Sequence, residues 1–148
     1  MPSSSVRRFT DPDEYAAALQ QGPVEITVRQ RGTFIAKLCT VNLRHLWIQR
    51  LSEALARTSH VDAQSGRVFI AHRTEPGPTV VRNGAELSTT RIARLRCGQS
   101  YYQHTSGPTS HAGMSLPWEE MASLGAAMAG QDLSPPNDDV TVTPHLTQ

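Results

Sequence analysis

The 148-residue sequence predicts a mostly β domain, an antiparallel sandwich or barrel with one short helix before the strands and one after them. Three observations carry this expectation. Short runs of alternating apolar residues recur between Val24 and about Leu116. Turn residues separate them at intervals of about eight to twelve positions. Helical spacing is confined to the two flanks.

The first helix begins at Asp11-Pro12-Asp13-Glu14, which supplies an N-cap, a proline at the first helical position and an acid near the positive end of the helix dipole. Tyr15, Ala16 and Leu19 give it one apolar face, and Gly22-Pro23 stops it. Residues 1–9 read as a flexible lead-in. The strand runs are Val24-Ile26-Val28, Phe34-Ala36-Leu38, Leu46-Ile48, Val68-Ile70, Val80 with Val81, and Ile92 with Leu95. Between them lie Arg31-Gly32-Thr33, Ser65-Gly66, Pro76-Gly77-Pro78, Asn83-Gly84 and Ser106-Gly107-Pro108. Asn83-Gly84 is the clearest hairpin signal, because both residues tolerate the positive φ of a type I′ turn.

The second helix starts at Pro117, with Glu119 and Glu120 in its first turn, and ends at Gly130. Trp118, Met121, Ala122, Gly125, Met128 and Ala129 share one face at spacings of three and four. Half of these are small, so the face suits close packing on the domain's own sheet or on a second copy in a homodimer. The proline- and threonine-rich stretch 131–148 reads as a linker or tail, which leaves 10–130 as the folded domain.

Composition narrows the function. Hydrophobic residues make up 38% and aromatics 5%, which suits a thin sheet-built core. Net charge is +1, from 14 basic and 13 acidic residues, and Lys37 is the one lysine. The arginines are scattered. Nucleic-acid binding draws most of its affinity from phosphate neutralisation, so these residues are not expected to hold DNA unaided. Cys39 and Cys97 form no C-x-x-C motif and read as reduced thiols. No run approaches the ~20 apolar residues of a membrane helix, and no export signal is visible at the N-terminus. The expectation is a cytoplasmic protein without a membrane partner.

Four segments resemble the N-terminal cupin-like domain of AraC/XylS-type transcriptional regulators. Gly32-Thr33-Phe34-Ile35-Ala36-Lys37-Leu38 with Leu46-Trp47-Ile48-Gln49-Arg50 looks like the opening strand pair. Gly66-Arg67-Val68-Phe69-Ile70 follows, then Asn83-Gly84 and Gly98-Gln99-Ser100-Tyr101-Tyr102-Gln103-His104. Met114-Ser115-Leu116-Pro117 leads into the closing helix and Ser134-Pro135-Pro136. The chain differs from the common pattern at Cys97, where proline is frequent, and at Tyr102, where histidine is. The resemblance implies a cupin-like barrel or sandwich that senses a small-molecule effector or dimerises. It also implies that DNA is contacted through a C-terminal helix-turn-helix domain, which is absent from these residues.

Ile70 with His72, and Tyr102 with His104, share strand faces and are candidates to line the effector pocket. The competing class is a stand-alone small-molecule-binding or metal-dependent cupin enzyme. Its His-x-His motif is missing, and the six histidines are isolated, His104 and His111 being the nearest pairing if Ser106–Thr109 forms a tight turn. No metal or other cofactor is expected. No Gly-x-Ser-x-Gly and no activated cysteine is present, so catalytic residues are not expected either.

Overall fold

The alternating segments become antiparallel ladders in the computed structural model, which describes residues 2–63, 65–95, 98–133 and 140–142. The order is β1 (Ser3–Phe9), α1 (Pro12–Ala18), β2 (Val24–Val28), β3 (Ala36–Leu43), β4 (Leu46–Glu53), β5 (Arg57–Asp62) and β6 (Arg67–Arg73). It continues with β7 (Val80–Arg82), β8 (Ala85–Glu86), β9 (Ile92–Leu95), β10 (Ser100–Thr105), β11 (Thr109–Pro117), α2 (Trp118–Ala129) and β12 (Val140–Val142). One sheet runs β1-β3-β4-β11-β6-β9-β12, the other β2-β5-β10-β7-β8, all pairings being antiparallel. The two sheets make a sandwich and not a closed barrel.

Local chemistry accounts for the ends of the elements. The Asp11 carboxylate accepts hydrogen bonds from the Asp13 and Glu14 amides at 2.7 and 3.2 Å, which occupies two of the donors a helix start leaves unpaired. Helix α2 ends at Gly130, whose φ of 61° only glycine adopts cheaply. Asn83 and Gly84, at φ 47° and 81°, form the two-residue turn between β7 and β8.

Two expectations change. Ser3–Phe9, read as a flexible lead-in, pairs along its whole length with β3. Apart from Phe9 its side chains are exposed, so the backbone ladder holds the strand and no apolar alternation announces it. Described residues after Gly130 are also engaged. Leu133 packs against Val68, Leu116 and Met121, and Val140–Val142 pair with β9. The proposed linker landmark Ser134-Pro135-Pro136 lies outside the described residues, as does Cys97; Cys39 is a free thiol in β3. Among the described residues no helix is long and apolar enough to cross a membrane.

The apolar core comes in two pieces. Phe9, Tyr15, Phe34, Ala36, Leu38 and Leu55 cluster beside α1, with Tyr15 tilted against Phe9 and Phe34 at ring separations of 5.6 and 5.9 Å. Val68, Leu116 and Met121 form the second cluster, under α2. Between them the facing sheets bury an unusual set of polar side chains: Glu53, Arg57, Ser59, Arg73, Arg82, Gln103 and His111 among others. That polar interior positions the site.

Candidate ligand-binding cavity

A cavity of about 100 Å³ lies between the sheets, lined from α1, β2, β4 to β7 and β9 to β11. A benzene molecule occupies an apolar cavity of about 150 Å³, so this smaller space suits a ligand no larger than about one ring. Strand register gives it two unlike ends. Toward one end lie Glu53, Arg57, Arg82, Gln103 and His111, and toward the other Trp47, Phe69, Val61, Leu95 and Tyr101.

The polar end is built around a forked ion pair. Arg57 donates from Nε to Glu53 Oε2 at 2.7 Å and from Nη2 to Oε1 at 3.0 Å. The remaining nitrogen, Nη1, reaches Ser59 Oγ at 2.7 Å and the Gln103 carbonyl at 3.4 Å. The Tyr15 hydroxyl donates to Glu53 Oε1 at 3.3 Å, which ties α1 to the same carboxylate. Arg82 donates from Nε and Nη2 to the Gln103 side-chain oxygen at 3.2 and 3.0 Å, and its guanidinium lies 4.8 Å from the centre of the Tyr101 ring.

Burial and charge set the protonation states here. Burial pushes the Glu53 carboxyl up, but the Arg57 guanidinium more than offsets this and holds it below the usual range. Arg57 is lowered by burial and raised further by Glu53, so it stays charged. Tyr15 is raised well above its ordinary value, by burial and then by Glu53. His111 falls from 6.5 to about 4; burial is the main cause, and Arg57, Arg82 and Arg73 add to it against Glu53. Its ring is therefore neutral at pH 7. Neither ring nitrogen has a hydrogen-bond partner, although the residue is only 8% exposed. Buried polar groups are nearly always bonded, so this imidazole stands out.

Of the four pocket residues read from sequence, His72, Tyr102 and His104 lie one strand position away from residues that face inward. Tyr102 and His104 stand exposed on the outer face, where Tyr102 packs on His60 at 4.6 Å and the His104 ring contacts Thr58 Oγ1 at 3.0 Å. Tyr101 and Gln103 line the cavity instead. His72 is exposed while Arg73 is buried. Ile70 borders the cavity and also packs against the cluster under α2. A slip of one residue exchanges the faces of a strand, and a polar cavity removes the apolar alternation that would reveal the right phase.

The pairing of His104 with His111 is also not made. The turn at Ser106–Pro108 carries the chain from one sheet to the other, so β10 pairs with β5 and β7 while β11 pairs with β4 and β6. Among the described residues no group of three His, Cys, Asp or Glu side chains is placed to hold a metal ion. The α2 residues divide. Met121 and Gly125 are buried and Ala122 half-buried, whereas Trp118, Met128 and Ala129 are exposed.

Two antiparallel sheets packed over a cavity that is charged at one end and apolar at the other define the chain as a β-sandwich domain with an internal cavity. No protein-family model and no curated protein matches the sequence. Among solved structures, the chain is similar to the AraC-like transcriptional activator CuxR, with a TM-score of 0.63 at 13% identity over 82% of this chain and 49% of that one. The likeness is one of fold, and this chain spans about half the length of that activator.

Proposed function

We propose that this domain senses a small-molecule effector for a transcription regulator of the AraC type, and that it binds its ligand without transforming it. The observation that carries the reading is the cavity, whose buried ionisable end includes an imidazole with no protein partner. The shared fold with half of an AraC-like activator supports the regulatory context. The near-neutral charge supports DNA contact through a separate helix-turn-helix part and not through this sandwich. A buried forked ion pair fixes the sheets relative to one another, which suits a rigid receptor.

Transcript profiling tests this in cells carrying an Ala71→Phe variant, beside wild type and a deletion. Ala71 lines the cavity, so a phenyl ring there fills it. Filled and deleted strains should alter an overlapping set of transcripts at unchanged protein level. A deletion that alters no transcript set would overturn the regulatory reading. An Ala71→Phe strain that matches wild type would overturn the role of the cavity.

Dimerisation has one observation of its own: Leu124 and Met128 leave 47% and 82% of their surfaces exposed on α2, with Trp118 also exposed. Light scattering at high micromolar concentration should show a dimer that Met128→Glu weakens. A strictly monomeric wild type would remove this role.

A further inference from the structure

The charged end of the cavity holds more positive than negative groups. Among the described residues the buried Arg, Glu and His side chains at or beside that end are Arg57, Arg73, Arg82, Glu53 and His111. Glu53 is committed to Arg57 through both carboxylate oxygens. Arg73, only 7% exposed, donates from Nη2 to the Pro78 carbonyl at 2.6 Å, and its Nε has no partner. Its bonded partner is thus a neutral oxygen, and burying a charge that way is costly.

Arg73 and His111 are directly opposite each other in the β6–β11 ladder. With Arg82 they border a side cavity of about 20 Å³, which shares His111 and Arg82 with the main cavity. One water occupies ~10–15 Å³ on such a measure, so this corner takes one or two heavy atoms, such as the oxygens of a carboxylate whose carbon lies toward the main cavity.

We infer that the corner formed by Arg73, Arg82 and His111 is an anion site, fitted to the carboxylate of a small organic acid whose apolar body lies in the main cavity, or to a free halide. The inference deepens the sensing role proposed above and rests on it. A carboxylate seated there accepts from Arg73 Nε and from whichever His111 nitrogen carries the proton, which satisfies two donors the protein leaves unbonded. The neutral state of His111 is consistent with this, since burial and then the surrounding guanidiniums oppose its charge until an anion arrives. The far end, with Trp47, Phe69 and Leu95, offers apolar surface to the rest of the molecule.

The test compares benzoate with benzamide, the same ring with and without the charge, by calorimetric titration of the full chain. Benzoate should bind at least about tenfold more tightly, as charge-assisted bonds require. Chloride is the second probe, read by its NMR line width. Saturable broadening that benzoate reverses marks an organic acid as the occupant, and broadening with no benzoate binding marks a free halide; both support the site. Arg73→Gln should abolish the response and Arg73→Lys should keep most of it. If Arg73→Gln fails to fold, the contrast between the two ligands on unmutated protein still decides. Equal binding of benzoate and benzamide without chloride broadening would overturn the anion site while leaving the cavity reading intact. Absence of binding by all three probes would also overturn it, and transcript profiling judges the regulatory reading separately.

Discussion

Acidification should weaken this fold through His111, by an amount the structure sets. The imidazole ordinarily protonates at 6.5, and in the folded chain not until about 4. Below 6.5 the unfolded chain takes up a proton that the native chain refuses, so stability falls as pH drops through this window and changes no further below it. Each pH unit between the two values corresponds to about 1.4 kcal/mol, so the full effect is about 3 kcal/mol. Between pH 7 and pH 5 it amounts to about 2 kcal/mol. Glu53 does not interfere there. Its folded value lies below 4.5, so its contribution is present throughout and is lost only in more acid solution. Urea unfolding at pH 7 and pH 5, on wild type and His111→Gln, isolates the effect because other titrating groups cancel in the difference. A domain of this size loses about 2 kcal/mol per molar urea, so the wild-type midpoint should fall by about 1 M more than that of the variant. Equal shifts in the two proteins would refute the burial argument for His111.

Other consequences of the packing are as direct. Glu53→Gln leaves Arg57 buried without its carboxylate and should cost about 3–5 kcal/mol in urea unfolding, whereas the double variant Glu53→Leu/Arg57→Met should cost much less. Gly125→Ala sets a methyl group 2.6 Å from Leu133 Cγ, and should lower stability by about 1–3 kcal/mol with Leu133→Ala partly restoring it. Asp11→Ala removes both hydrogen bonds to the first turn of α1 and should cost about 1 kcal/mol, read by thermal unfolding.

Much of the fold is legible in local chemistry. Asp11, Gly130 and Asn83-Gly84 each announce an element boundary because the backbone geometry there needs a particular side chain or its absence. The strand β2 alternates because one of its faces is covered. The cavity was far less legible. Tyr101-Tyr102-Gln103-His104 carries an aromatic and a polar residue in either phase, so hydrophobicity cannot tell the inner face from the outer one. Arg57 and Ser59 are polar and carry no local signal of burial, yet both are buried, Arg57 against Glu53 of β4 and the Gln103 carbonyl of β10, and Ser59 against Arg57. No nearby residue signals Arg73 or His111 as a pair. They meet only once β6 and β11 are aligned.

The sequence by itself determined the secondary structure class, the two helices with the Asp11 and Gly130 caps, and the tight hairpin; the stop of α1 comes at Leu19, ahead of the Gly22-Pro23 pair that the sequence suggested. The features it determined depend on residues within one turn or one strand of each other. Only the tertiary structure decided which strand face is inside, that Ser3–Phe9 completes a sheet, and that Glu53, Arg57, Arg73, Arg82 and His111 converge. Convergence depends on register between strands distant in sequence, and a polar interior carries no apolar pattern from which that register could be read.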